Sequence, residues 1–472
     1  MKRYSPASIM FIFLLIAVGP AILFSQTQPL ALHPANPHYF IYKNKPMILV
    51  TSGEHYGAVL NLDFNYITYL DELQSKRLNL TRTFSGAYVE PSGAFNIKKN
   101  TLAPVAGRFT CPWLRSSTPG YTNGGNKFDL TQWDAAYFKR VKDFVSAAQK
   151  RGIIIEFTLF CPFYEESQWK LSPLNTINNI NDLGAVSRTN VYTLDSSVAL
   201  LGVQEKLVRK IVNELQDFDN VIYEICNEPY FGGVTIKWQR HIADIISETE
   251  ASFKSRHLIS QNIANGSQTI MDPHPAVSVF NFHYASPPYA VAQNYGLNKV
   301  IGDNETGFAG NSDSTYRREA WEFLLAGGGL YNNLDYSFTV GNEKGTFVYP
   351  STQPGGGSAE LRKQLGFLKD FLYRFDFTHM KPDSTLTNNG QQQKFKSYAL
   401  TEPGKQYAIY FYRPSRHNVE LMLPIGTYEV EWMHPRTGKS ETKTLLKHTS
   451  GKALLDVPED SEDIALRIVK VG

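Results

Sequence analysis

The sequence predicts a (β/α)8 TIM barrel followed by a small all-β sandwich, on three observations. Strand-length apolar runs alternate with amphipathic stretches of helical period, and eight such units fit between residues 33 and 380. The runs are apolar nearly throughout, as in a parallel sheet buried on both faces; residues 153–160 are the clearest case. From residue 390 to 472 the pattern changes to short alternating segments separated by turn residues.

Taken in order, residues 39–42, a Lys43-Asn44-Lys45 turn and residues 46–50 read as a hairpin running into a strand. Residues 78–84 form the next strand. Trp133, Tyr137, Val141, Phe144, Val145 and Ala148 share one helical face, and Gly152 closes that helix as a C-terminal cap. Val203, Leu207, Val208, Ile211, Val212 and Leu215 mark another helix, leading into the strand at 221–226. Further strands fall at 258–261, 277–284, 299–303 and 329–336, with helices around 238–250 and 316–325. Residues 361–373 make the last barrel helix. The sandwich segments are 395–400, 406–412, 419–423, 428–432, 442–446, 453–457 and 464–469.

At 472 residues the chain is too long for one compact core. A net charge of +3 and no long basic run argue against nucleic acid as a partner. Met1-Lys2-Arg3 followed by an apolar stretch over 9–24 reads as a signal peptide, residues 1–25, cut near Ser25–Gln26. That implies a secreted or periplasmic protein, with no membrane span once the segment is removed. Cys111, Cys161 and Cys226 do not make a disulfide framework, and no His/Cys spacing suggests a metal site.

The chemistry is read from two strand ends. Asn227-Glu228-Pro229 closes the apolar run at 221–226, and the run beginning at Val300 delivers Glu305 before Thr306-Gly307. Barrel chemistry sits at C-terminal strand tips, and both glutamates are placed there. Two such carboxyls are what a retaining glycosidase needs, one to protonate the leaving oxygen and one to attack the anomeric carbon. Glu228 is the expected acid/base, its pKa raised by partial desolvation, and Glu305 the nucleophile, held ionised by Arg82 at the second strand tip. The plain structural readings are a turn cap for Glu228 and a solvated loop carboxylate for Glu305. Glu224, Glu156 and Asp303 are rival strand carboxylates, ranked as structural partners.

On these motifs the chain resembles a clan A glycoside hydrolase, closest in pattern to family 5 and its relatives. Asn79-Leu80-Thr81-Arg82 is similar to that family's second-strand Asn-x-x-Arg, and the Asn227-Glu228 pair to its fourth-strand motif. The resemblance implies that Asn227 contacts a sugar 2-hydroxyl and that Arg82 supports the nucleophile. It implies no metal and no organic cofactor. There are departures. His283 and Tyr284 are adjacent where the family has His-x-Tyr, and alternation sends neighbours to opposite faces; both are candidates for substrate binding, with Tyr284, nearer the tip, expected to reach Glu305 and His283 either core-packed or facing the ligand. The strand-eight Trp is missing, and Tyr336 stands in that region. Trp113, in the long loop after the second strand, is a further candidate for sugar binding. The segment at 428–438 resembles a β-sandwich module, labelled collagen-binding, that follows catalytic domains such as those of family 140.

The expected activity is therefore a secreted retaining β-glycoside hydrolase, expected as a monomer, acting on a polysaccharide or oligosaccharide. The alternative is a non-catalytic surface glycan-binding or matrix-adhesion protein on a barrel scaffold. A protease reading lacks a Ser/His/Asp or metal pattern.

Overall fold

The computed structural model describes Met1 and residues 28–386, 396–414, 418–458 and 462–471. The expected signal peptide, Met1 apart, lies outside the described residues, as does the first residue of the strand expected at 395–400.

Eight parallel strands form the barrel: β1 (Leu49–Gly53), β2 (Leu80–Phe84), β3 (Ile154–Phe160), β4 (Val221–Cys226), β5 (Leu258–Asn265), β6 (Val277–His283), β7 (Val300–Thr306) and β8 (Leu330–Leu334). The ladder runs β1-β8-β7-β6-β5-β4-β3-β2, with every pair parallel. The seam between β1 and β2 is closed largely by one side chain. Asn79 Nδ2 donates to the Ile48 carbonyl at 2.9 Å, and its Oδ1 accepts from Val50 N at 2.9 Å. The amide stands in for a strand's own donor and acceptor, which is why an asparagine heads the Asn-x-x-Arg segment.

Each strand gives an apolar residue at or near its start: Leu49, Leu80, Ile154, Ile222, Leu258, Val279, Val300 and Leu330 pack together at the barrel floor. An N-terminal ribbon plugs this floor with Leu30, Phe40 and Tyr42. Its hairpin pairs Phe40–Tyr42 with Lys45–Met47, and Lys43 and Asn44 both take positive φ, as a two-residue turn of matching twist requires. Above the floor the interior turns polar, and that layer carries the site.

The main helices are α1 (Tyr66–Ser75), α2 (Ala135–Lys150), α3 (Val198–Leu215), α4 (Ile236–Thr249), α5 (Tyr289–Asn294), α6 (Asp313–Leu325) and α7 (Ala359–Leu372), with one further turn of helix at Glu166–Trp169. Among the described residues β5 runs to β6 through a loop without a helix, so the fifth of the eight expected units is incomplete. Trp133 also departs from expectation. It matches the period of α2 but ends a ribbon strand, Asn126–Trp133, paired with Trp113–Pro119. Asp134 stops the helix short of it, accepting from Ala136 N at 2.8 Å as the N-cap.

The C-terminal strands are β9 (Lys381–Pro382), β10 (Lys396–Glu402), β11 (Gln406–Tyr412), β12 (Asn418–Leu421), β13 (Gly426–Met433), β14 (Ser440–His448), β15 (Ala453–Asp456) and β16 (Asp463–Lys470). A six-stranded antiparallel sheet, β9-β10-β11-β16-β13-β14, packs against the β12–β15 pair. Both faces of β11 are buried. Tyr407, Ile409 and Phe411 enter the sandwich core, while Ala408 and Tyr410 join the barrel's core. Tyr410 stacks on Trp321 of α6 with centroids 5.4 Å apart. Arg317 of α6 bridges to Asp463 at 2.8 Å, and Arg374 pairs with Glu431.

Candidate active site

The polar layer of the barrel interior is a connected network. Arg82, on β2, is completely buried among carboxyls. Its Nε donates to Glu224 Oε2 at 2.7 Å, Nη1 to Glu305 Oε2 at 3.2 Å and Nη2 to Asn227 Oδ1 at 2.6 Å. Its guanidinium lies 4.5 Å over the Tyr56 ring. Glu224 also accepts from Asn262 Nδ2 at 2.5 Å, from Asn304 Nδ2 at 2.9 Å and from the Thr158 hydroxyl. Glu156, one level lower, accepts from Ser260, Asn281 and Asn304. Burial and the neighbouring Glu224 push Glu156 up to about 7. Both carboxyls lie beneath the tips and brace the layer above. Asp303 sits apart: it accepts from Ala285 N at 3.3 Å, and burial and then Glu319 push its pKa well up.

Glu228 and Glu305 face one cavity of about 430 Å³. Carboxylate oxygens of the two, together with a ring nitrogen of His283, lie within 4.8 Å of one another. Tyr284 donates to Glu305 Oε1 at 2.7 Å, and Tyr56 donates to Oε2 at 2.9 Å. Tyr164 donates to Glu228 Oε2 at 2.5 Å and in turn accepts from Asn227 Nδ2 at 2.9 Å. A chain of donors thus runs from Arg82 through Asn227 and Tyr164 to Glu228.

His283 and Tyr284 both enter the site, which alternation argued against. β6 ends at His283, and Tyr284 turns into a left-handed conformation, φ +54°, that swings its ring back toward Glu305. His283 Nδ1 lies 3.2 Å from Glu228 Oε1 and 3.5 Å from Glu305 Oε1. Tyr56 and Glu228 share the strained backbone sign, at φ +61° and +36°. Three non-glycine residues of this kind around one cavity mark a place where side-chain aim outweighs backbone comfort, at a cost of about 1–3 kcal/mol each.

The electrostatics also depart from the sequence reading. Burial does push Glu228 upward, but the hydrogen bond and charge of His283, the Tyr164 hydroxyl and Arg82 outweigh it, and its pKa is lowered. Burial works against a charged His283, yet Glu305 and Glu228 prevail and its pKa is raised above 6.5. Both directions favour the imidazole over the Glu228 carboxyl as the seat of a shared proton, and carry its loss toward the alkaline side of the usual imidazole range. In His283→Gln, Glu228 must hold the proton alone, so the alkaline limb of kcat/KM should move to lower pH. A kcat/KM profile of that variant with an unmoved alkaline limb would refute the shared proton.

The structure brings Arg82, Asn227, Glu228, His283, Tyr284 and Glu305 together. Trp113 is not with them: it is buried and stacked on Trp133, in the ribbon on which an apolar ring had to be covered. Tyr336 is buried beside the cavity, between Phe308 and His55, rather than lining it. Sequence reasoning missed Tyr56, His55 and Glu90. His55 and Tyr56 follow β1 just as Glu228 follows β4, and that shared position at a strand tip was the available signal. Tyr164, in the loop after β3, carries no periodic signal in the sequence. Cys161 lines the cavity, but burial raises its thiol well above the usual range, so it stays protonated.

Residues 108–285 match the family model described as cellulase (glycosyl hydrolase family 5), a stretch that includes Asn227, Glu228, His283 and Tyr284. No curated protein matches the chain in sequence. Among solved structures, the fold is similar to that of a candidate glycoside hydrolase from Bacteroides vulgatus ATCC 8482, at 14% identity and a TM-score of 0.65, covering 95% of this chain and 83% of the other. A glycoside hydrolase family 5 protein of the same organism aligns at 14% identity and a TM-score of 0.61 over 94% of this chain and 93% of its own. A third, a glycoside hydrolase, aligns at 14% identity and 0.62 over 94% and 97%. With the family-model match over strands three to six, and two glutamates across one cavity, the chain is a glycoside hydrolase.

Proposed function

We propose that this protein is an exported retaining β-glycosidase that acts on a polysaccharide, or on oligosaccharides derived from one, by double displacement. One observation carries the reading: the Glu228 and Glu305 oxygens approach within 4.8 Å. Retaining enzymes hold their carboxyls about 5–5.5 Å apart, whereas inverting enzymes need about 6.5–9.5 Å to admit a water.

Glu305 is the nucleophile. Tyr284, Tyr56 and Arg82 supply three donors that hold its negative charge and aim it. Glu228, handed the proton that His283 holds 3.2 Å away, protonates the departing oxygen, and then, as a carboxylate, takes a proton from the attacking water, which returns it to the pair. One N–H of Asn227 meets only the Cys161 sulfur, at 3.5 Å, a weak acceptor that a sugar 2-hydroxyl can displace. All these groups come from one chain, so the reading needs neither a cofactor nor a second copy. The C-terminal sandwich serves as support for the barrel, in keeping with its buried contacts on α6, rather than as a collagen-binding module. The charged start and the apolar stretch at 9–24 support export, and mass spectrometry of the exported protein should find a new N-terminus near Gln26.

The test is stereochemical. Proton NMR during hydrolysis of a 4-nitrophenyl β-glycoside should show the β anomer first, with the α anomer growing only by mutarotation. An α anomer formed first would mean inversion and would end this reading.

A further inference from the structure

The cavity has an acidic wall that the chemistry above does not use. Glu90, in the loop after β2, is 4% exposed and lines the cavity among Phe84, Phe95 and Leu102. Tyr88 donates to its Oε1 at 3.0 Å, Asn100 Nδ2 donates to Oε2, and His55 Nε2 stands 3.7 Å from Oε1. These contacts fix the carboxyl in place and leave each oxygen able to accept again. Apolar neighbours cannot supply those donors, but the hydroxyls of a sugar can.

Barrel order says which end of the substrate meets this wall. β1 and β2 lie across the barrel from β5 and β6. Phe231 and Asn265, from the loop after β4 and the end of β5, border the cavity beside Glu228. On the double-displacement reading, the leaving group protonated by Glu228 departs past them. The sugar whose anomeric carbon faces Glu305 extends the other way, toward His55 and Glu90. His55 precedes Tyr56, which itself donates to Glu305.

We propose that Glu90, braced by His55, Tyr88 and Asn100, is a specificity-determining residue that accepts hydrogen bonds from hydroxyls on the sugar edge remote from the anomeric carbon. It thereby closes that end of the cavity, and the enzyme releases single sugars from non-reducing ends. This rests on the double-displacement reading above.

The test uses the 4-nitrophenyl β-D-glucoside, galactoside, mannoside and xyloside, with the 3-, 4- and 6-deoxy analogues of the best of them. For the wild type, loss of a contacted hydroxyl should lower kcat/KM about 10- to 100-fold, the effect of one charge-assisted hydrogen bond. Glu90→Ala should lose a similar factor on the parent glycoside and then treat parent and deoxy analogue alike. Glu90→Gln, which keeps one acceptor oxygen, should fall between. A merely misfolded variant would lower both substrates equally and preserve their ratio. With a tetrasaccharide of the preferred sugar, reduced at its terminus, monosaccharide should be the product from the first minutes. A deoxy penalty that persists in Glu90→Ala, or early release of internal fragments, overturns the proposal. Inactivity of the wild type on all four glycosides also overturns release of single sugars, whereas an inverted first product would instead sink the double-displacement reading, and this proposal with it.

Discussion

Glu305→Ala should abolish hydrolysis of every glycoside the wild type cleaves, by about 10⁴-fold or more, as loss of a nucleophile does elsewhere. Without the Glu305 carboxylate no covalent intermediate forms, and no leaving group is good enough to compensate. Glu228→Ala should fail differently. Substrates with poor leaving groups need its proton and should lose about 10²–10⁴-fold. Activated aryl glycosides do not, so they should still form the glycosyl-enzyme, which then accumulates for want of a base. Azide needs no base. It should restore turnover of Glu228→Ala and give a glycosyl azide of retained configuration. Steady-state rates and NMR of the azide product check both halves. An inverted azide product would reverse the assigned roles, and wild-type activity in both variants would move the site elsewhere.

Arg82→Met should cost stability as well as activity. From sequence alone Arg82 reads as a support for Glu305. In the structure it is the shared cation of Glu224 and Glu305 and the donor that orients Asn227. Methionine fills much of the volume but leaves the buried Glu224 without its counter-charge and Glu305 with His283 alone. Breaking a buried pair from one side costs about 3–5 kcal/mol. Urea unfolding should show a lower midpoint for Arg82→Met, and kcat/KM per folded molecule should also fall. An unchanged midpoint with normal turnover would show that the network tolerates the loss.

The residues legible in the sequence share one property: their placement follows from strand period and strand ends. Apolar runs gave the barrel strands, and the tips after 226 and near 305 gave the two glutamates. The sandwich strands were legible because alternation and turns repeat at short range. What period cannot report is how the chain leaves a strand. Tyr284 reaches Glu305 through a single positive φ, which no alternation rule contains. Trp113 looked like a sugar platform because an aromatic in a long loop is ambiguous until a second ring, Trp133, covers it. The direction of the Glu228 pKa was misread for a related reason. Burial was foreseeable, but the imidazole against it depends on that same unusual strand exit. Glu90 was invisible because nothing periodic marks its loop: Asn100 folds back on it from ten residues further along the same segment, and His55 comes from the tip of a different strand.

The docking of the C-terminal sheet on α6 bears on how such a chain can change over evolutionary time. A carbohydrate-binding appendage on a tether can be lost, duplicated or exchanged with little consequence for its enzyme. Here the helix that follows the nucleophile's strand has its outer face roofed by Tyr410, and Arg317 within it is clamped by Asp463. Exchanging the sandwich for an unrelated module would strip that roof and leave a buried arginine and a large indole facing water. The two halves are therefore tied to a common inheritance, and recombination at their boundary is the rearrangement this architecture resists most.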